Sequence, residues 1–135
     1  MRLYLAASLS TVTAAKALAE RLRLDGHEVA STWHDVVLEG ERDPLDVDER
    51  RDVAIGCLCE VTRADAVVAL LTDEDCRPRG TFIEIGYALG LAIPIVWVGG
   101  QHTVFDALPF VVHCDANMDH LPAALAAAWR LRGGK

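Results

Sequence analysis

The sequence holds no block of lysine and arginine, no unbroken apolar run of membrane-spanning length, no internal repeat and no low-complexity segment. Each absence removes a class of protein. Formal net charge is -7, with the acidic residues spread along the chain, so the clustered cations that neutralise nucleic-acid phosphates are missing. The longest uncharged run, residues 85–102, carries four glycines and a proline and reads as helix, turn and strand. A membrane span needs roughly 20 continuous apolar residues. The amino-terminal MRLYLAASLS runs straight into strand-like sequence, with too short an apolar stretch and no processing site for a signal peptide. A cytoplasmic protein with no nucleic-acid and no membrane partner is expected.

Cysteine is also sparse in any useful spacing. Cys57 and Cys59 fall in a helical pattern, where residues two apart point to nearly opposite sides, so they cannot share one metal ion. With Cys76 and Cys114 they read as buried, reduced thiols. No metal and no redox cofactor is implied.

What is present is alternation. At 135 residues the chain makes one domain over 1–135, large enough for a proper core. Strand-like runs at 2–7, 27–32, 66–71, 94–99 and 110–114 alternate with helical patterns at 11–24, 48–64, 81–91 and 121–131. In the helix at 48–64, Ala54, Ile55, Leu58, Val61 and Thr62 make the expected inner face. The continuous AVVALL at 66–71 suits a central parallel strand covered on both sides. The pattern predicts an α/β fold, a flavodoxin- or Rossmann-like three-layer sandwich. Its five-stranded parallel sheet takes the order 2-1-3-4-5. Ligands then bind beyond the carboxyl ends of the strands, near the switch in strand order. Residues 6–10, 33–35 and 72–80 and the loop after Val98 line that edge. The polar stretch 33–46 is long for a connection, which marks it as functional.

RPRGTFIEIGYALG, residues 77–90, places one glutamate, Glu84, in an apolar helix that starts at this edge. Two roles compete. Thr81 and Glu84 have the spacing of a capping box, with Thr81 as N-cap. A carboxylate at a helix start facing a cleft is also kept ionised by the helix dipole. There it can attack an anomeric carbon and form a covalent glycosyl intermediate.

GTFIEIGYALGLAIPIVWVGG resembles the signature of the nucleoside 2-deoxyribosyltransferase family, whose nucleophilic glutamate lies in an E-[LIF]-G-[YR]-A segment. YLAAS, ADAVVALL and VFDALPFVVHC extend the likeness in matching order, towards compact one-domain members. The resemblance implies that Glu84 is the nucleophile, with Tyr87 one turn on helping to hold it. It also implies an acidic residue eight positions before Asp65, where this chain has Cys57. Asp52 is the candidate substitute, set against its reading as a solvated first-turn charge. Asp73 and Asp75 lie in a loop from which either reaches a base, and Asp65 reads as a turn-fixing residue. Dimers or larger homo-oligomers, with a neighbour's residues closing the pocket, are implied as well.

The remaining walls follow from position. Tyr4, Ala6 and Ser8 form the first strand end, and Ser8 or Ser10 can bond a sugar or phosphate; Ser10 or Thr11 equally caps the next helix. Trp33 stacks on a base or packs its loop. His34 bonds a ligand or, as a lone exposed histidine, is solvated. Arg77 and Arg79, with Gly80 and Thr81, hold a 5′-phosphate, or else the arginines neutralise Asp73, Glu74 and Asp75. Asp106 and Pro109 read as loop structure. The leading expectation is an enzyme that cleaves or transfers the N-glycosidic bond of a (2-deoxy)nucleoside or its 5′-monophosphate. The alternative is a non-catalytic nucleotide-binding module using the same crevice. A flavin site is disfavoured, since SLSTVT lacks the glycine a tight phosphate loop needs.

Overall fold

The continuous apolar runs become the centre of the sheet. In the computed structural model, which describes residues 1–36, 45–72 and 78–134, β3 (Ala66–Leu70) and β4 (Ile95–Val98) are buried along their whole length. β1 (Arg2–Ala6) is buried from its second residue, and β2 (Glu28–Val29) and β5 (Val111–Cys114) lie at the edges. All four pairings are parallel and the order is β2-β1-β3-β4-β5, as the alternation predicts. Each fully buried Leu, Ile or Val contributes roughly 1.5–3 kcal/mol, and the central strands supply most of them.

The helices are α1 (Val12–Leu24), a short α2 (Trp33–Val36), α3 (Val47–Thr62), α4 (Arg79–Gly90) and α5 (Leu121–Leu131). A single 3-10 turn, 104–107, stands between β4 and β5. Right-handed crossovers run leftward through α1 and rightward through α3 and α4, which places α1 on the opposite face of the sheet from α3 and α4. With only a 3-10 turn in the β4–β5 connection, the flank of α4 carrying Phe82, Gly86 and Leu89 borders an apolar hollow of about 470 Å³.

Three local expectations are corrected. The second strand stops at Val29 rather than reaching 32, because side chains take over its ladder: Leu5 N–H donates to Ser31 Oγ at 3.1 Å, and Trp33 Nε1 donates to the Leu5 carbonyl at 2.7 Å. The stretch from 33, read as loop, opens with α2; residues 37–44 lie outside the described residues. The inner face of α3 is much narrower than expected. Val61 is its one fully buried residue, while Ala54 and Thr62 are exposed and Ile55 is 55 % exposed. A capping box does exist, but at this helix: Asp46 Oδ1 accepts from the N–H groups of Asp48 and Glu49, and Glu49 accepts from Asp46 N–H at 3.0 Å.

β4 ends at Gly99, whose φ of +111° suits glycine, and a Cβ there would run into the Leu71 carbonyl. Beside it the Leu71 N–H donates to the Val98 carbonyl at 2.7 Å and holds the ends of β3 and β4 together at the edge where ligands bind in such sheets.

Candidate functional site

Tyr4 is the second residue to pass into the sheet interior, and alternation along β1 turns it towards α3 and α4. Its ring is fully buried, so its hydroxyl must find a partner. It donates to Glu84 Oε1 at 2.7 Å, and Cys57 of α3 acts electrostatically on the same hydroxyl. Burial first, and the Glu84 charge second, push the phenol far above its usual range. Tyr4 is thus a neutral, fixed donor at every physiological pH.

Glu84 does not cap its helix. The N-cap of α4 is Pro78, with no side-chain cap, and with Arg79 first in the helix Glu84 is sixth. It therefore lies beyond the first turn, where the helix dipole has its effect. Burial pushes the carboxyl up to about 7; the Tyr4 hydrogen bond opposes that shift and the negative charge of Glu60 adds to it. The expectation of a carboxylate held ionised by the dipole is corrected on both counts. Glu84 remains half-buried, with a share of its surface open to solvent. A carboxylate oriented by one strong donor and poised near neutrality is equipped to act as nucleophile or as proton carrier.

The start of α4 is polar and uncapped. The N–H groups of Arg79, Gly80 and Thr81 precede the first intrahelical bond, which Phe82 N–H makes to the Pro78 carbonyl. Thr81 is buried, and its Oγ1 has no hydrogen-bond partner among the described residues. Gly80 is exposed with open space where a Cβ would stand, and Arg79 is exposed beside it. At the carboxyl end of β1, the Ser8 and Ser10 hydroxyls lie 2.6 Å apart. The Thr11 side chain does not cap α1, since its hydroxyl turns back to the Ser8 carbonyl. Ala6 is buried in register with Ala69 of β3. Arg77, Asp73, Asp75 and Cys76 lie outside the described residues.

Other expected members of the site are elsewhere. Tyr87 does not hold Glu84. Its hydroxyl pairs with Thr62 Oγ1 at 3.2 Å, and because the Thr62 proton goes to the Leu58 carbonyl, Tyr87 is the donor. It ties α4 to the end of α3. Trp33 is 8 % exposed with its N–H committed to β1, so its packing role displaces the stacking one. His34 is fully buried between Ser31 and Asp35, and burial lowers its pKa. Asp52 is exposed. Five helical residues set it about 140° round from Cys57, away from the stripe that meets Tyr4. Asp65 accepts Arg2 N–H at 2.6 Å at the amino edge of the sheet and fixes a turn there. Asp106 pairs with His102 in its own loop, as expected. Among the described residues no cluster of three metal-ligating side chains exists, and Cys59 is exposed rather than buried.

Cys57, noted in the sequence as a thiol in place of an acid, acts electrostatically on Tyr4. Glu60, which the sequence reading missed, lies three residues on along the same stripe and reaches Glu84 electrostatically while accepting from Thr32 N–H and Oγ1 at 3.1 and 2.5 Å. Their spacing with Val61 and Ala64 was the available signal.

The profile of the nucleoside 2-deoxyribosyltransferase family matches residues 3–121. The chain belongs to this family of enzymes. Among solved structures it is similar to a 2-deoxyribosyltransferase of Bacillus psychrosaccharolyticus, described as a biocatalyst for nucleoside synthesis, with 21% identity, 85% of each chain covered and a TM-score of 0.62. It is also similar to the CMP N-glycosidase BcmB of Clostridium botulinum, with 16% identity, 93% and 99% of the two chains covered and a TM-score of 0.59. Both likenesses are of fold. No curated protein matches the sequence.

The raised carboxyl of Glu84 has a consequence for folding. A group whose folded pKa is about 7 against an ordinary 4.5 leaves stability intact below about 4.5 and lowers it as pH rises towards 7. Glu84→Gln removes this decline. Denaturant titrations at pH 4 and pH 8 are expected to agree for the two proteins at pH 4. At pH 8 they should favour the variant by an amount on the order of 2–3 kcal/mol. Parallel curves at both pH values would contradict the burial of this charge.

Proposed function

We propose that this enzyme cleaves or transfers the N-glycosidic bond of a (2-deoxy)nucleoside or its 5′-monophosphate through a covalent glycosyl-enzyme on Glu84. The observation that carries the reading is the 2.7 Å hydrogen bond from fully buried Tyr4, which fixes Glu84 Oε1. One oxygen is held and the other is the attacking atom. The Glu84 carboxylate attacks C1′ as the C1′–N bond breaks, and the bonding electron pair leaves with the base. An acceptor base or water then attacks C1′ from the opposite face and restores the carboxylate. Two inversions give net retention.

The 5′ end of the substrate is assigned to the start of α4. Uncapped N–H groups, the exposed Arg79 and the unpartnered Thr81 hydroxyl suit an anionic or hydroxylated group. Ser8 and Ser10 stand at the neighbouring strand end as further donors. Asp52 is left out of this scheme, since its side of α3 does not meet Tyr4.

A second copy of the chain is proposed to complete the pocket. Val53 and Ile55 on α3 and Ile83 on α4 are 45 %, 55 % and 68 % exposed, although the two helices pack side by side. Apolar exposure of this kind on neighbouring helices suits burial in an isologous interface.

Two outcomes are expected. Free base released from a panel of nucleosides and deoxynucleoside monophosphates should show kcat/KM rising with pH through about 7, as Glu84 loses its proton. Glu84→Gln should lower it by at least about a thousandfold. Binding without any turnover would instead support the nucleotide-binding module. Separately, sedimentation velocity should find a dimer or larger assembly that Ile83→Asp dissociates; a monomeric native chain would remove the second copy from the scheme.

A further inference from the structure

Leu5 separates Tyr4 from Ala6, and its two backbone groups face the β2 side, where that strand has already ended. Side chains hold both instead. The Leu5 N–H donates to Ser31 Oγ at 3.1 Å, and the Leu5 carbonyl accepts from Trp33 Nε1 at 2.7 Å. Ser31 Oγ is in turn 3.1 Å from His34 Nε2, and His34 Nδ1 is 3.2 Å from Asp35 Oδ1. Ser31 and His34 are fully buried, and the Trp33 indole meets the His34 ring edge-on at 5.5 Å. We propose that His34 is a positioning residue for the Tyr4–Glu84 pair: uncharged, it accepts the Ser31 proton and so latches the backbone beside Tyr4, and its protonation releases that latch. The inference deepens the Glu84 reading and rests on it for the effect on catalysis.

Each proton in this chain has one place to be. Leu5 N–H can only donate, so Ser31 Oγ accepts there. The Asp35 carboxylate, paired with an Arg23 guanidinium nitrogen at 3.2 Å, can only accept, so His34 Nδ1 carries the ring proton. His34 Nε2 is left with its lone pair, and the Ser31 hydroxyl donates to it. A second ring proton would point at Ser31 Oγ, and the serine proton would lose that acceptor in a place closed to water. Among the described residues the charged groups acting on His34 are Asp35 of its own helix, Arg23 of α1 and Glu60 of α3. Burial outweighs the two carboxylates and lowers the His34 pKa. The latch is therefore complete above the ordinary histidine range and is lost as pH falls below it.

The consequence reaches the site through a single peptide unit. Tyr4 precedes Leu5, and its phenol meets Glu84 Oε1 in one short bond. That bond lowers the Glu84 pKa against the effect of burial. A β1 backbone freed at Leu5 weakens the bond and so raises the Glu84 midpoint. Two protonations thus act on one site, that of Glu84 directly and that of His34 through the strand.

The test sets pH profiles beside NMR titrations, over the range in which circular dichroism shows the chain folded. In the native chain kcat/KM for a deoxynucleoside should fall about tenfold per pH unit below the Glu84 midpoint, steepening to about a hundredfold per unit below the His34 midpoint. The His34 midpoint is read from its ring protons, and hydrogen exchange at the Leu5 amide should accelerate with the same midpoint. His34→Gln keeps an acceptor for Ser31 and cannot titrate, so its profile should hold the shallower slope throughout. His34→Leu keeps apolar bulk and strands the Ser31 proton. It is expected to raise the Glu84 midpoint, followed by carboxyl carbon NMR, by about half a unit, which a loss of stability alone would not do. A native profile of single slope while His34 titrates, a Leu5 amide indifferent to that titration, or a Glu84 midpoint unmoved in His34→Leu would each overturn the proposal. Should the variants fail to fold, the two native measurements decide it. If the Leu5 amide and the Glu84 midpoint respond as expected while no nucleoside is turned over, the catalytic reading fails and the His34 latch stands.

Discussion

One hydrogen bond organises this molecule's chemistry: the Tyr4 hydroxyl on Glu84, between the first strand and the fourth helix. Eighty residues separate the two side chains, and the fold brings them together. β1 and β3 pair in register from Leu3 with Ala66 to Ala6 with Ala69, which fixes the depth of Tyr4 below α3 and α4. The Thr62–Tyr87 bond then sets how closely α3 and α4 approach. Loss of either restraint would let Glu84 turn to solvent, where a carboxylate is ordinary. In place it is half-buried, desolvated and directed, and its pKa stands near neutrality because burial outweighs the single strong donor it receives.

The architecture was legible because its signals are redundant. AVVALL and PIVWVG carry no charge and are rich in β-branched residues, and such runs between helical patterns leave few arrangements besides a parallel sheet. The strand order is the flavodoxin-like one expected of such an alternation. Boundaries were less legible where side chains replaced backbone. No pattern in HEVAST announces that Ser31 and Trp33 finish the second strand's hydrogen bonding from outside the strand.

At the site, the position of Glu84 was legible and its environment was not. TFIE has the capping-box spacing, yet the N-cap is Pro78, three residues earlier than the Thr81 N-cap that spacing requires. A proline costs nothing at a helix start, where its missing N–H has no partner to lose. Tyr87 lies one turn from Glu84 on the same helix and so looked like its partner. Tyr4, far away in sequence, has that role, because the pleat of β1 and not helical spacing brings the phenol there. His34 was misplaced, and the packing alternative for Trp33 was the right one, for a related reason: the short α2 turns both inward, where Ser31, Asp35 and the Leu5 carbonyl satisfy their polar atoms. Long-range partnerships of this kind leave no local trace in a sequence.

The narrow inward face of α3 is also the face that meets Tyr4 and Glu84. Val61 is the helix's one fully buried residue, and Cys57 and Glu60 on the same stripe act electrostatically on Tyr4 and Glu84. The helix is held by its Asp46–Glu49 cap at one end and by Thr62 at the other, which frees its middle for the site. The whole account turns on the claim that Glu84 itself bonds to the sugar. Acid-quenching the enzyme during turnover of a deoxynucleoside, followed by intact-mass analysis and peptide mapping, tests this directly. The account predicts a sugar ester on the peptide containing Glu84. Turnover with the sugar carried on another residue, or undiminished in a Glu84→Ala chain, would contradict it.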